Sequence, residues 1–186
     1  MAFPVWLPVL GPILARRRMK SELPVLAERW GLGFVESDRR HWWGRFEGTL
    51  EEHTVRIEPE VPSLSVVFSR EVTDFQASTL DIGQKPRDLG LDHPRFEKVF
   101  RSIDLGPEAA RRLRGRTDVL DRILSLWEPR ISGISLGESL LSCILYYPFD
   151  VRKGPHYVET ADVERLLPEM IGVVRLLEDV LGTGRG

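Results

Sequence analysis

The chain is poor in the residues from which small catalytic and metal sites are built. It has one cysteine, Cys143, in 186 residues. An internal disulfide is therefore impossible, and zinc centres made from several cysteines are excluded. A reducing compartment suits such a chain. The four histidines, His41, His53, His93 and His156, show no i,i+3 or i,i+4 spacing, so no metal ligand pair can be read from the sequence. G-x-x-x-x-G-K-[ST] is absent, and so is a G-x-G-x-x-G after a strand. Gly182, Gly184 and Gly186 have no helix after them and cannot cradle a phosphate. The formal net charge is −2, without the basic excess of a nucleic-acid binder.

Nucleophilic chemistry is equally thin. There is no G-x-S-x-G elbow. Cys143 lies in the apolar run LLSCILYY and reads as a buried structural thiol. Glu51-Glu52, and Glu58 with Glu60, fall at turns and strand ends, where acids are normally solvated. The pattern weighs against an enzyme and implies no cofactor.

What the chain does have is an unusual start. MAFPVWLPVLGPILA carries no charge, and Arg16, Arg17, Arg18 and Lys20 follow within five positions. A secretory signal needs its charge first and a small-residue cleavage site afterwards, and both are missing. A transmembrane helix needs roughly 20 apolar residues, more than are present. Pro4, Pro8 and Pro12 each remove an amide donor, so extended or polyproline-like backbone is expected, with a helix opening at Pro12. Three readings compete. The segment folds over its own core or stays disordered, docks on a protein partner, or meets a lipid interface with its Trp at the boundary and its cations on anionic headgroups. Phe3, Trp6, Leu7 and Leu10 are the candidate anchors, and Arg16, Arg17 and Arg18 the candidate cationic contacts.

The remainder reads as one domain. With 42% hydrophobic residues there is enough apolar material for a core without a metal or disulfide staple. Ser21 is expected to cap a short helix with Pro24 in its first turn, an apolar face of Leu23, Leu26, Ala27 and Trp30, and Gly31 as its left-handed stop. Strands follow around residues 34–35, 42–50, 53–58 and 64–68, with Glu51-Glu52 as a hairpin turn. Phe46, Gly48 and Leu50 are placed on one face and Val55 and Ile57 on another. Gly44 and Gly48 mark a bulge or a close backbone approach. Residues 72–82 and 99–103 are weaker strand candidates. Residues 84–94 read as a polar loop, with Asp92 capping a turn that carries Phe96. Pro107 opens a helix closed by Gly115. Thr117 caps another, with Leu120, Ile123, Leu124 and Trp127 on one face. Residues 131–136 and 140–147 form a hairpin with Gly137 first in a type II′ turn, and the second strand is expected to be covered on both faces. Thr160 caps a long last helix that Pro168 should kink and Gly182 should end.

Hairpin-linked strands with helices at both ends indicate α+β. The expected architecture is an antiparallel sheet of about five to seven strands with helices on one face and a long C-terminal helix. Residues 1–20 form a docking segment, 21–182 the single domain and 183–186 a flexible tail. In layout alone, without a shared motif, the order of elements is similar to that of small secretion chaperones.

A basic–aromatic stretch, Arg39 to Phe46, supplies two further candidates, Trp42 and Trp43. The first reading is a turn of solvated arginines before a strand that buries its tryptophans; a nucleic-acid platform would need more positive charge, so a protein-binding patch is the better functional reading. Together these features point to a non-enzymatic accessory or assembly subunit. It would dock through its N-terminal segment on a larger protein complex, in the cytoplasm and peripheral to the membrane. Two alternatives stand beside it. One is a small-molecule site or enzyme with a pocket between the sheet and the last helix. The other is a chaperone-like binder of apolar segments.

Overall fold

The computed structural model describes residues 7–37, 43–70, 72, 74–79, 91–146 and 157–182, with side chains from residue 13 onward. Phe3, Trp6, Trp42 and the expected tail lie outside the described residues, as does most of the expected polar loop.

The first element overturns the local reading. Helix α1 runs unbroken from Leu7 to Arg29, through Pro8, Pro12 and Pro24. Pro8 falls in the first turn, where its missing amide costs nothing. Pro12 and Pro24 are interior and each forfeits a helical hydrogen bond. The fold outweighs that cost through Met19, Leu23, Leu26 and Ala27, which recur on one face and are all buried. Ser21 is consequently no cap. Its hydroxyl donates to the Arg18 carbonyl inside the helix, at 2.9 Å. The expected stop is correct: Gly31 has φ +67°, and Leu32 N–H reaches back to the Ala27 carbonyl at 2.8 Å, closing a Schellman motif.

Among the described residues the sheet has eight strands, not five to seven: the weak stretch 72–82 contributes a four-residue strand, and a second begins at Ser102, because Val99 at the start of the other weak stretch belongs to a helix. They are β1 (Gly33–Glu36), β2 (Gly44–Leu50), β3 (His53–Glu58), β4 (Ser63–Val67), β5 (Phe75–Ser78), β6 (Ser102–Leu105), β7 (Ile131–Leu136) and β8 (Leu140–Leu145). All neighbours pair antiparallel, in the order β1-β2-β3-β4-β8-β7-β5-β6. The fold is α+β, as read from the sequence.

Register corrects the face assignment in the first hairpin. Phe46 stands opposite Ile57 and Gly48 opposite Val55, so these side chains share one face. Glu51 and Glu52 make the turn with φ 51° and 72°, the positive values a type I′ turn requires. In the second hairpin Leu136 pairs with Leu141, which puts Glu138-Ser139 at the turn instead of Gly137. Strand β8 is central but alternates: Leu141, Cys143 and Leu145 are buried, while Leu140, Ser142 and Ile144 are half-buried on the other face. Alternation, not burial on both faces, is what an antiparallel sheet with helices on one side imposes.

Among the described residues, four helices follow α1. They are α2 (Pro94–Val99), α3 (Pro107–Leu113), α4 (Thr117–Ser125) and α5 (Thr160–Leu181). The cap of α2 is His93, whose Nδ1 accepts from the Phe96 amide at 3.1 Å, and not Asp92. Thr117 and Thr160 are first helical residues, with Arg116 and Glu159 at the cap positions. Helix α5 crosses the sheet over β4, and α1, α3 and α4 each contact α5. Its stripe of Val163, Leu166, Leu167, Met170, Val174, Leu177 and Leu181 forms one buried cluster with Leu64, Val66, Leu141 and Cys143 of the sheet. Burial pushes the Cys143 thiol up to about 12. Cys143 should therefore stay unmodified by a thiol reagent at neutral pH until the protein is unfolded in denaturant. Rapid labelling of the native protein would contradict its placement.

A candidate docking face at the start of helix α1

Two places gather polar side chains. One is at the exposed edge of the sheet and the other is inside the molecule.

At the edge, α1 runs on past its core contacts. Among described side chains, Met19 is the first that is buried. The helix extends about three further turns, roughly 18 Å, towards its N-terminus. Ile13 and Leu14 on that extension are 46% and 60% exposed. Arg16 is anchored: its Nη2 lies 3.0 Å from Oε1 of Glu60. The other oxygen of Glu60 accepts from the Trp43 amide at 2.6 Å. Glu60 is thus no solvated turn acid; its side chain is 12% exposed and ties α1 to the start of β2. Lys20, one turn after Arg16, holds its ammonium 5.2 Å from the centre of the Trp43 ring.

Trp43 also packs on Phe34 and Phe46, at centroid distances of 5.2 and 5.6 Å. The trio sits where β1 ends the sheet. All four residues of β1 are exposed, and Phe34 is 43% accessible. Of the sequence candidates, then, Arg16 and Trp43 come together through Glu60. Arg17 is exposed, and Arg18 pairs with Glu22 at 2.8 Å along the helix. Leu7 and Leu10 belong to α1, but their side chains are not among those described. Sequence reasoning passed over Glu60, Lys20 and Phe34 as members of this face. The signal for Lys20 was its spacing of four from Arg16.

Inside the molecule, Glu178 of α5 is 6% exposed and His53 of β3 is 3% exposed. His53 Nε2 lies 3.0 Å from Oε2 of Glu178, and Nδ1 lies 2.8 Å from the Glu51 carbonyl. Both contacts are hydrogen bonds when both nitrogens carry protons. Oε1 of Glu178 accepts from the Ser69 amide at 2.5 Å, the Ser69 hydroxyl at 3.0 Å and the Arg70 amide at 3.0 Å. Burial alone would raise this carboxyl. The Arg70 amide, His53 and Ser69 outweigh it and hold Glu178 below its ordinary value.

A serine, a histidine and an acid in contact suggest a hydrolytic triad, but the order is wrong. The acid stands between the other two, and the Ser69 hydroxyl faces the carboxylate instead of an imidazole base. The cluster fastens the end of α5 to the first hairpin and to the chain after β4. Nearby, Val72 bridges Gly182, and Arg175 pairs with Glu51 at 2.7 Å. No group of three or more metal-ligating side chains gathers among the described residues. No helix among them is long and apolar enough to cross a membrane.

A further basic run, Arg111 to Arg116 on α3 and after it, is tied down by pairing within the fold. Arg111 and Arg112 pair with Glu108, Arg116 pairs with Asp118, and Arg112 also donates to the Val180 and Gly182 carbonyls at the end of α5.

No protein-family model matches the chain, and no curated protein matches it in sequence. A solved structure similar to it is the crystal structure of the mycobacterial trehalose monomycolate transport factor A, 13% identical, with a TM-score of 0.46 over 90% of this chain and 94% of that one.

Proposed function

We propose that this chain is a non-enzymatic accessory or assembly subunit. The start of α1 docks it on a larger protein complex at a membrane surface, with the body on the cytoplasmic side. The observation that carries the reading is the extension of α1 beyond Met19 with Ile13 and Leu14 exposed on it. Exposed apolar side chains next to one another on a helix mark a surface for a partner. Arg16, Lys20, Trp43 and Phe34 lie at the foot of the extension, and Trp and Arg are favoured at the centres of interfaces.

A ligand pocket between sheet and α5 has less support. The facing side chains there, among them Leu64, Val66, Leu141, Leu167 and Val174, are fully buried in a shared cluster.

The structure also says where to cut. Met19 is part of the core, so a chain starting at Met19 keeps the buried face of α1. Affinity capture from the source cell should recover a complex with the full chain and lose it with the truncated one. The truncated protein should keep its cooperative unfolding, within about 1 kcal/mol of the full chain. Equal capture by both chains would remove the docking reading.

A further inference from the structure

We infer that the start of α1 seats in an anionic phospholipid surface, with residues 7–15 in the apolar layer and the Arg16–Lys20 cluster at the headgroups. This rests on the reading of α1 as the docking element: the complex is met at the foot of the extension, by Arg16, Trp43 and Phe34, and lipid covers its tip.

The residue types decide between lipid and a protein groove. From Leu7 to Ala15 the helix is Leu-Pro-Val-Leu-Gly-Pro-Ile-Leu-Ala, without one polar side chain. A helix that lies in a groove shows an apolar stripe and a polar back. This one has no polar back, so a groove would leave apolar side chains in water. Lipid covers the whole circumference.

Charge follows at the depth where headgroups begin. Arg16, Arg17, Arg18 and Lys20 supply four cations, and Glu60 and Glu22 pair with Arg16 and Arg18. Arg17, exposed, and Lys20 are left in excess. Trp43 stands against Lys20 at the same level, as interfacial tryptophans do. The match of an apolar tip to a positive collar is what an anionic leaflet complements.

The test is co-sedimentation of the full chain with vesicles of phosphatidylcholine alone, and with phosphatidylglycerol added. Two variants accompany it, Leu14→Glu and Arg17→Glu. Both positions are exposed, so both variants should keep the wild-type melting temperature. The full chain should sediment with the anionic vesicles and be released by salt. Arg17→Glu should weaken that binding about tenfold or more, and Leu14→Glu should abolish it. Equal binding to neutral vesicles would overturn the headgroup contact, and no binding to either would overturn the inference whole. If vesicles are ignored while the Met19 truncation still loses its complex, the lipid inference falls and protein docking stands. If vesicles are bound while the truncation keeps its complex, the reverse holds.

Discussion

Glu178→Ala is expected to lower the free energy of unfolding by about 3–5 kcal/mol, because several buried donors lose the one acceptor they share. The loss has a clear source. Alanine leaves the Ser69 and Arg70 amides and the Ser69 hydroxyl without their acceptor, and His53 Nε2 without its hydrogen-bond partner. Each orphaned donor costs about 1–3 kcal/mol where water cannot replace the acceptor. Glu178→Gln should cost less, because one carbonyl oxygen can still serve the two amides. The pair also fixes the sign of the acid response. The folded carboxyl lies below its ordinary value, so its contribution is fully present above the unfolded value and is lost as pH falls through the folded one. Urea titrations at a series of acidic pH values should therefore show wild-type stability falling in that window, with a shallower fall for Glu178→Gln. A Glu178→Ala protein as stable as wild type would mean that the carboxylate is solvated and the latch absent.

Glu178 and His53 were legible in a sense that single-residue reading does not use. His53 occupies the same strand parity as Val55 and Ile57, and the buried pattern of β3 begins with it. Glu178 follows Val174 by four and Ile171 by seven, on the apolar face of α5. Each is a polar residue at a position where the period calls for an apolar one. Two such residues in a fold need each other, since a buried charge without a partner is costly. The long periodic elements were plain for the complementary reason. In α5, in α4 and in the first hairpin, local preference and burial agree. Helix α1 was visible only in its second half, from Ser21, where Leu23, Leu26 and Ala27 recur on one face. The first half was hidden because Pro8 and Pro12 argue locally against a helix, while Met19 argues for continuing it only once the fold is in place to receive its side chain. The edge face was half visible. Trp43 and Arg16 could be singled out by residue type, but their meeting runs through Glu60, 17 positions from Trp43 and 44 from Arg16.

Gly44→Ala should cost about 3 kcal/mol and should also weaken capture of the complex. Gly44 has φ +131°, a conformation that L residues rarely adopt. A Cβ there would run into the Val35 carbonyl oxygen, and would stand 2.9 Å from Cζ of Phe34 and 3.2 Å from the Glu36 Cα. Two of those contacts are backbone and cannot swing aside. Strand β1 must move, because it is an edge strand held to the sheet through β2 alone, with Gly44 opposite Glu36. Gly115→Ala is the matched control. Its φ is +74°, so the substitution carries backbone strain, yet nothing lies within 4 Å of the new atom. Strain without a clash should cost about 1 kcal/mol. Denaturant unfolding measures both, and hydrogen exchange at the β1 amides should speed up in Gly44→Ala only. Equal costs for the two variants would show that β1 does not approach β2 as closely as the structure places it. The same displacement carries Phe34 away from Trp43, whose amide, held by Glu60, links the sheet edge to Arg16. If that edge takes part in docking, Gly44→Ala should lower the yield of complex while Gly115→Ala leaves it unchanged. If both variants capture equally well, the edge is excluded and the extension of α1 is left to dock alone.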